Sequence, residues 1–109
     1  MFNNVMLFQK LTGKKVAQVA CSQYTTWYLT TNGDLYGCGY GSYGLQGNGT
    51  TSNVTTFTKR ASGVAQIACS IDTTWYLTTN GDLCGCGYGS FGQQGNGSTS
   101  DVTTFTKRN

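Results

Sequence analysis

VAQVACSQYTTWYLTTNGDLYGCGYGSYGLQGNGTTSNVTTFTKR, residues Val16–Arg60, is written a second time as Val64–Arg108, at an offset of 48 (64 minus 16). Of its 45 positions, eight differ between the copies. A fixed period near 50 marks solenoids and propellers, in which a unit cannot bury its own apolar face and must stack on a neighbour. The fold therefore has to be read from the unit, and the function from what pairs of units leave exposed.

Within the unit, Val16–Cys21 sets Ala17, Val19 and Cys21 on one small, apolar face, as a crowded inner strand requires. Thr25–Thr30 alternates, with Thr25, Trp27 and Leu29 on one face and Thr26, Tyr28 and Thr30 on the other. Asn32-Gly33 then sits between two alternating runs, the strongest short-range hairpin signal, and predicts a primed turn with both residues at positive φ. A third strand runs from Leu35 to Gly39 or Tyr40. A Gly-rich loop over 41–53 leads to a fourth, Val54–Thr58. The second copy repeats the plan over 64–69, 73–78, 83–88 and 102–106. Four antiparallel strands per unit predict an all-β chain of two four-stranded propeller-type blades, a partial β-propeller. Asn4–Lys10 aligns with Asn53–Lys59, so an extra N-terminal strand is expected. The expected divisions are 1–15 for that strand and its connector, the tail of a preceding repeat, 16–60 for blade one and 61–109 for blade two.

The residues resemble a known family. Val16, Val19, Cys21, Thr26, Leu29, Gly33, Leu35-Tyr36, Cys38-Gly39 and Gly44-Leu45-Gln46-Gly47 are similar in order and spacing to the regulator of chromosome condensation repeat. The second copy fits at Val64, Ile67, Cys69, Thr74, Leu77, Gly81, Leu83, Gly87 and Gly92-Gln93-Gln94-Gly95. Thr25, Tyr28 and Cys38 stand where that family usually has His, Ala and Trp. The resemblance implies a ring of about seven blades and protein binding through ring faces. In the founding member it implies nucleotide exchange on a small GTPase through a wedge inserted between blades, and this sequence has no insertion to serve as one.

Composition narrows the function further. Charged residues are 10%, Gly is 16 of 109 and Pro is absent, which disfavours long helices. Fourteen aromatics (seven Tyr, five Phe, two Trp) supply burial that a disordered linker lacks. A net charge of +3 without a basic run excludes a nucleic-acid arm. No apolar run approaches a membrane span and no signal peptide precedes the repeats, so a cytoplasmic setting is expected. The absence of His excludes a Ser-His or Cys-His nucleophile, and Asp34, Asp72, Asp82 and Asp101 have no acidic partner in the repeat. No enzyme activity is expected.

No cofactor or metal is expected either. Gly39-Tyr40-Gly41-Ser42-Tyr43-Gly44 matches the dinucleotide fingerprint but opens no helical pattern, so it reads as turn geometry. Cys84-Gly85-Cys86 lacks completing ligands. All five cysteines, Cys21, Cys38, Cys69, Cys84 and Cys86, read as small buried apolar residues.

The loops carry the functional signal. The turns that follow the first and third strands emerge at one end of each blade and bring Tyr24, Tyr40, Tyr43, Tyr88 and Phe91 among glycines and small polar residues, a mixture found in binding loops. Tyr24 and Asp72 are equivalent positions with different chemistry, as loops that meet a non-repeated partner can be. The reading is a non-enzymatic protein-interaction module, or scaffold, that binds through these loops. A carbohydrate-binding propeller, with Asp72 near Gln94, and an exchange-type regulator are the alternatives. Because two blades cannot close a ring, the chain is expected to be a fragment of a longer array, an engineered repeat, or a subunit that completes a propeller by self-association.

Overall fold

The structure is a computed structural model and describes residues 15–109. Eight strands follow in chain order: β1 Val16–Cys21, β2 Thr25–Thr30, β3 Leu35–Gly39, β4 Val54–Ala61, β5 Val64–Cys69, β6 Thr73–Thr78, β7 Leu83–Gly87 and β8 Val102–Lys107. They make two antiparallel sheets, β1-β2-β3-β4 and β5-β6-β7-β8. Among the described residues the helical content is a single 3-10 turn, Ser42–Gly44. The all-β, two-blade architecture is as expected, and β4 continues past the predicted Thr58 to Ala61. The N-terminal strand expected over 4–10 lies outside the described residues.

Each sheet is built around a tryptophan laid on a glycine. Trp27 of β2 is paired with Gly37 of β3, and a Cβ at Gly37 would overlap the six-membered part of the Trp27 indole. Trp75 and Gly85 repeat the arrangement in the second sheet. Only a glycine lets so large a ring lie flat on the neighbouring strand.

The two faces of a blade have different fates. The face of Trp27, Leu29 and Leu35, here the front face, packs on the second blade, whose back face carries Ile67, Tyr76 and Phe105. Trp27, Leu29, Leu35, Val64 and Ile67 form the buried core, with Ala20, Ala61, Cys69, Tyr76 and Phe105 around it. The Trp27 and Phe105 rings meet edge to face at 5.9 Å, and Phe105 meets Tyr76 at 4.7 Å. The core therefore lies between the blades. Hydrogen bonds cross the same interface: Gln18 Oε1 accepts from the Ile67 amide at 2.8 Å, and the Gly33 carbonyl accepts from the Val64 amide at 3.0 Å.

Two expectations are corrected. The Asn32-Gly33 hairpin forms, but Gly33 alone takes a positive φ, of 90°. The Thr30 carbonyl accepts from the Gly33 amide at 3.1 Å and the Thr30 hydroxyl accepts from the Asp34 amide at 3.0 Å. This is the pattern of a type I turn followed by a left-handed glycine, selected by the Thr30 side chain over the primed turn. Likewise, Ala17, Val19 and Cys21 of β1 do not form one buried face. Val19 and Cys21 are exposed because they lie on a back face that no described blade covers, while Ala17, displaced by an irregularity in the β1–β2 register between Val16 and Gln18, is exposed beside Leu29 and Val64 at the edge of the seam. The equivalent Ile67 is buried, because blade one covers it.

Gly37→Ala should destabilise the fold by about 2–3 kcal/mol, the cost of overpacking a ring that has nowhere to move. Equilibrium urea unfolding followed by tryptophan fluorescence measures it.

Candidate functional site

The β1–β2 and β3–β4 connections leave the same end of the first sheet, and the strand ends bring them together. The Tyr24 carbonyl accepts from the Tyr40 amide at 2.9 Å, and the two rings lie 5.4 Å apart, both exposed. In the second blade the same backbone bond joins the Asp72 carbonyl to the Tyr88 amide at 2.8 Å. Asp72 is half-buried and its Oδ1 accepts from Ser70 Oγ at 3.4 Å.

A second aromatic group spans the blades. Tyr43, from the first, meets Tyr88, from the second, at 4.6 Å, and Tyr88 meets Phe91 at 5.9 Å. Tyr43 sits at φ 61°, the one non-glycine residue at positive φ among those described. That conformation costs on the order of 1–2 kcal/mol per residue. Phe91 is 85% exposed. Among the described residues no ring contact joins the Tyr24–Tyr40 pair to the Tyr43–Tyr88–Phe91 group, so the predicted residues fall into two clusters at the loop end.

These loops are held from beneath by a polar brace that sequence reasoning missed. Gln46 and Gln94 are wholly buried, and their amides donate to the Tyr40 and Tyr88 carbonyls at 3.4 and 3.3 Å. Arg60 Nε donates to the Gln46 carbonyl at 2.9 Å, and Arg108 Nε to the Gln94 carbonyl at 2.6 Å. Arg108 also donates to Gln94 Oε1 at 2.9 Å. Asn53 and Asp101 each accept from a loop amide, Gly41 and Gly89, at 3.0 Å. The available signal was the retention of both Gln-Gly pairs beside the change from Leu45 to Gln93; the Arg positions, each preceded by an unchanged Lys, gave none. The brace also engages Gln94, half of the polar pair that a sugar site would need. Lys59 and Lys107 pair with Asp34 and Asp82 at 3.2 and 3.4 Å, which balances charge at the opposite end.

The cysteines divide by position rather than by type. Cys84 and Cys86 are buried, Cys38 and Cys69 are half-buried, and Cys21 is exposed on the back face of blade one, against expectation. All five are free thiols. Burial pushes the Cys86 thiol up to about 12, and it lies 3.7 Å from the Leu45 carbonyl, which it reaches as a donor. It is a neutral packing group at physiological pH. No set of three or more His, Cys, Asp or Glu able to hold a metal occurs among the described residues. None of the described helices is long and apolar enough to cross a membrane.

Comparison with known proteins adds a repeat match and a fold. Residues 16–45 match the regulator of chromosome condensation (RCC1) repeat. The chain is similar to human WBSCR16 at 29% identity and a TM-score of 0.72, over 86% of this chain and 25% of that one. It is similar in fold to Prp20p from Saccharomyces cerevisiae, a protein described with its binding properties to Gsp1p and histones, at 18% identity and a TM-score of 0.76, over 88% of this chain and 26% of that one. Yeast RCC1 (Prp20) bound to Kap60 gives 18% identity and a TM-score of 0.75, over 88% and 25%. The chain thus spans about a quarter of each of these proteins.

Burial also makes stability depend on pH. The Cys86 thiol, ordinarily near 9, and the Tyr76 phenol, ordinarily near 10, are each raised to about 12, in both cases chiefly by burial. Between those values the folded state holds protons that the unfolded chain releases, so the contribution of these two groups to stability should be fully present below pH 9 and be lost as pH rises toward 12. Urea midpoints across that range test this, and Cys86→Ala should remove part of the slope.

Proposed function

We propose that this chain, which carries the regulator of chromosome condensation repeat, is a non-enzymatic protein-interaction module whose partner meets the aromatic loop end. The observation that carries the reading is the exposed aromatic surface there: Tyr24 with Tyr40 on one blade, and Tyr43, Tyr88 and Phe91 across the seam. Tyr and Phe offer large contact area at little conformational cost, and apolar rings held toward water favour a protein partner. Tyr43 supports the reading, because an unfavourable backbone is tolerated where it aims a side chain. Relatives of the same fold that bind Gsp1p, histones or Kap60 give it general support.

Asp72, Tyr24 and their neighbours set partner choice on this reading, and a cytoplasmic setting fits the free thiols. The carbohydrate alternative is weakened by the burial of Gln94. The exchange-type alternative lacks a wedge, since only two residues separate β4 from β5. Self-association to complete a propeller is the second kind of protein contact we propose, supported by apolar residues left exposed on the outer faces of both blades.

Two experiments test the loop reading. In affinity capture against a glycan array and a cell lysate, the wild type should retain protein and no glycan, and Tyr24→Ser with Tyr43→Ser and Phe91→Ser should lose it. With a purified partner, exchanging Gln23-Tyr24 for Ile71-Asp72 should shift affinity by about 1 kcal/mol or more. The melting temperature should stay nearly unchanged; equal binding by the exchanged chain would refute the loop assignment.

A further inference from the structure

The interface between the two blades is a template, and its two halves recur on the outer faces of the chain. Leu29 and Leu35 on the front of blade one are 4% and 0% exposed, while their repeat equivalents Leu77 and Leu83 are 37% and 39% exposed. Ile67 on the back of blade two is 5% exposed, while its equivalent Val19 is 65% exposed. Trp75, Leu77 and Leu83 line a shallow groove with Gln66 and Ala68. The same sequence is therefore core at the seam and surface at the ends.

The polar groups of the seam recur in the same way. Gln66 is the equivalent of Gln18, whose side chain takes the Ile67 amide; the Val19 amide is the equivalent of that donor. The Leu45 carbonyl accepts from Thr74 Oγ1 at 3.0 Å and from Cys86 Sγ at 3.7 Å. The equivalent acceptor is the Gln93 carbonyl, and the equivalent donors are Thr26 and Cys38. A Cβ on Gly47 would overlap the Phe105 ring, whereas a Cβ on the equivalent Gly95 meets nothing within 4 Å. The repeat equivalent of Phe105 is Phe57, which is exposed beside Tyr28 on the outer face of blade one.

From this we infer that the occupant of the blade-two front face is blade one of a second copy of this chain, seated in the register that blade two takes on blade one. Trp75 then meets Phe57 of the second copy edge to face, Leu77 and Leu83 cover its Val19, and Gln66 takes its Val19 amide. The contact is head to tail, so it propagates until the rotation closes a ring, and two blades per copy make three or four copies a propeller of six or eight blades. This deepens the self-association reading above and rests on it.

The test uses the full chain in size-exclusion chromatography with light scattering, together with Val19→Glu and Leu77→Glu. Wild type should form a closed species of three or four copies. Each variant alone should weaken assembly by about a hundredfold or more, since each buries an unpaired carboxylate, and should remain folded by far-UV circular dichroism. An equal mixture of the two should form a one-to-one dimer and stop there, because each variant keeps the face that the other lacks. Phe57→Glu and Ala68→Glu, on the same two faces, repeat the test should either first variant melt early. A monomeric wild type overturns both the inference and the self-association reading. An oligomeric wild type whose variants assemble unchanged, or whose mixture gives no dimer, overturns this register and leaves self-association standing.

Discussion

Everything in this structure depends on the fact that a sheet carrying a tryptophan flat on a glycine has an apolar front that it cannot cover itself. Trp27 reaches full burial only because Phe105 and Tyr76 of the next blade close over it, beside Leu29, Leu35 and Ile67. Trp75 has the same neighbours in its own sheet and the same glycine beneath it, yet it stays half-buried. Arg108, 5.9 Å from its ring, supplies part of the cover that a third blade would give. Burial in a repeat array is a property of place in the stack, and one sequence holds two environments at once.

The loop end follows from a different economy of contacts. A long Gly-rich connection has carbonyls and amides that no ladder satisfies, and buried polar groups must find partners. Gln46, Gln94, Arg60 and Arg108 provide them from below, so the loops are ordered without placing their aromatic side chains in the core. Trp27 Nε1 and Gln46 Oε1 remain unpaired in the first blade, whereas Gln94 Oε1 is matched by Arg108. The braces thus differ slightly between copies, beneath loops that also differ.

Much of this was legible in the residues. Period-two alternation and the Asn-Gly pairs located every described strand to within a few residues, because those signals are local. The turn type was not legible, since Asn-Gly serves both a primed turn and a type I turn ending in a left-handed glycine, and the Thr30 hydroxyl decides between them. Cysteine burial failed for Cys21 because the relevant neighbour is another blade, a fact absent from the repeat itself. The loop aromatics were found by composition. The brace beneath them was missed because it joins residues 14 apart through the carbonyls of an irregular loop.

The eight positions at which the copies differ bear on the strength of any contact that repeats the seam. Leu45 is buried between the blades, and its equivalent Gln93 is half-exposed and polar. Cys84 is buried on the covered back face, and its equivalent Tyr36 stacks on Tyr28 at 4.9 Å, with Phe57 against the same ring at 4.8 Å. The outer faces have therefore exchanged some apolar fit for side chains that tolerate water, while keeping the backbone donors and acceptors of the seam. A contact made through them keeps the register but buries less well-matched surface. It also carries the cost of lost translational freedom, which two blades on one chain do not bear. Such a contact is weaker than the one inside the chain and reversible, so assembly follows concentration while the two-blade unit stays intact.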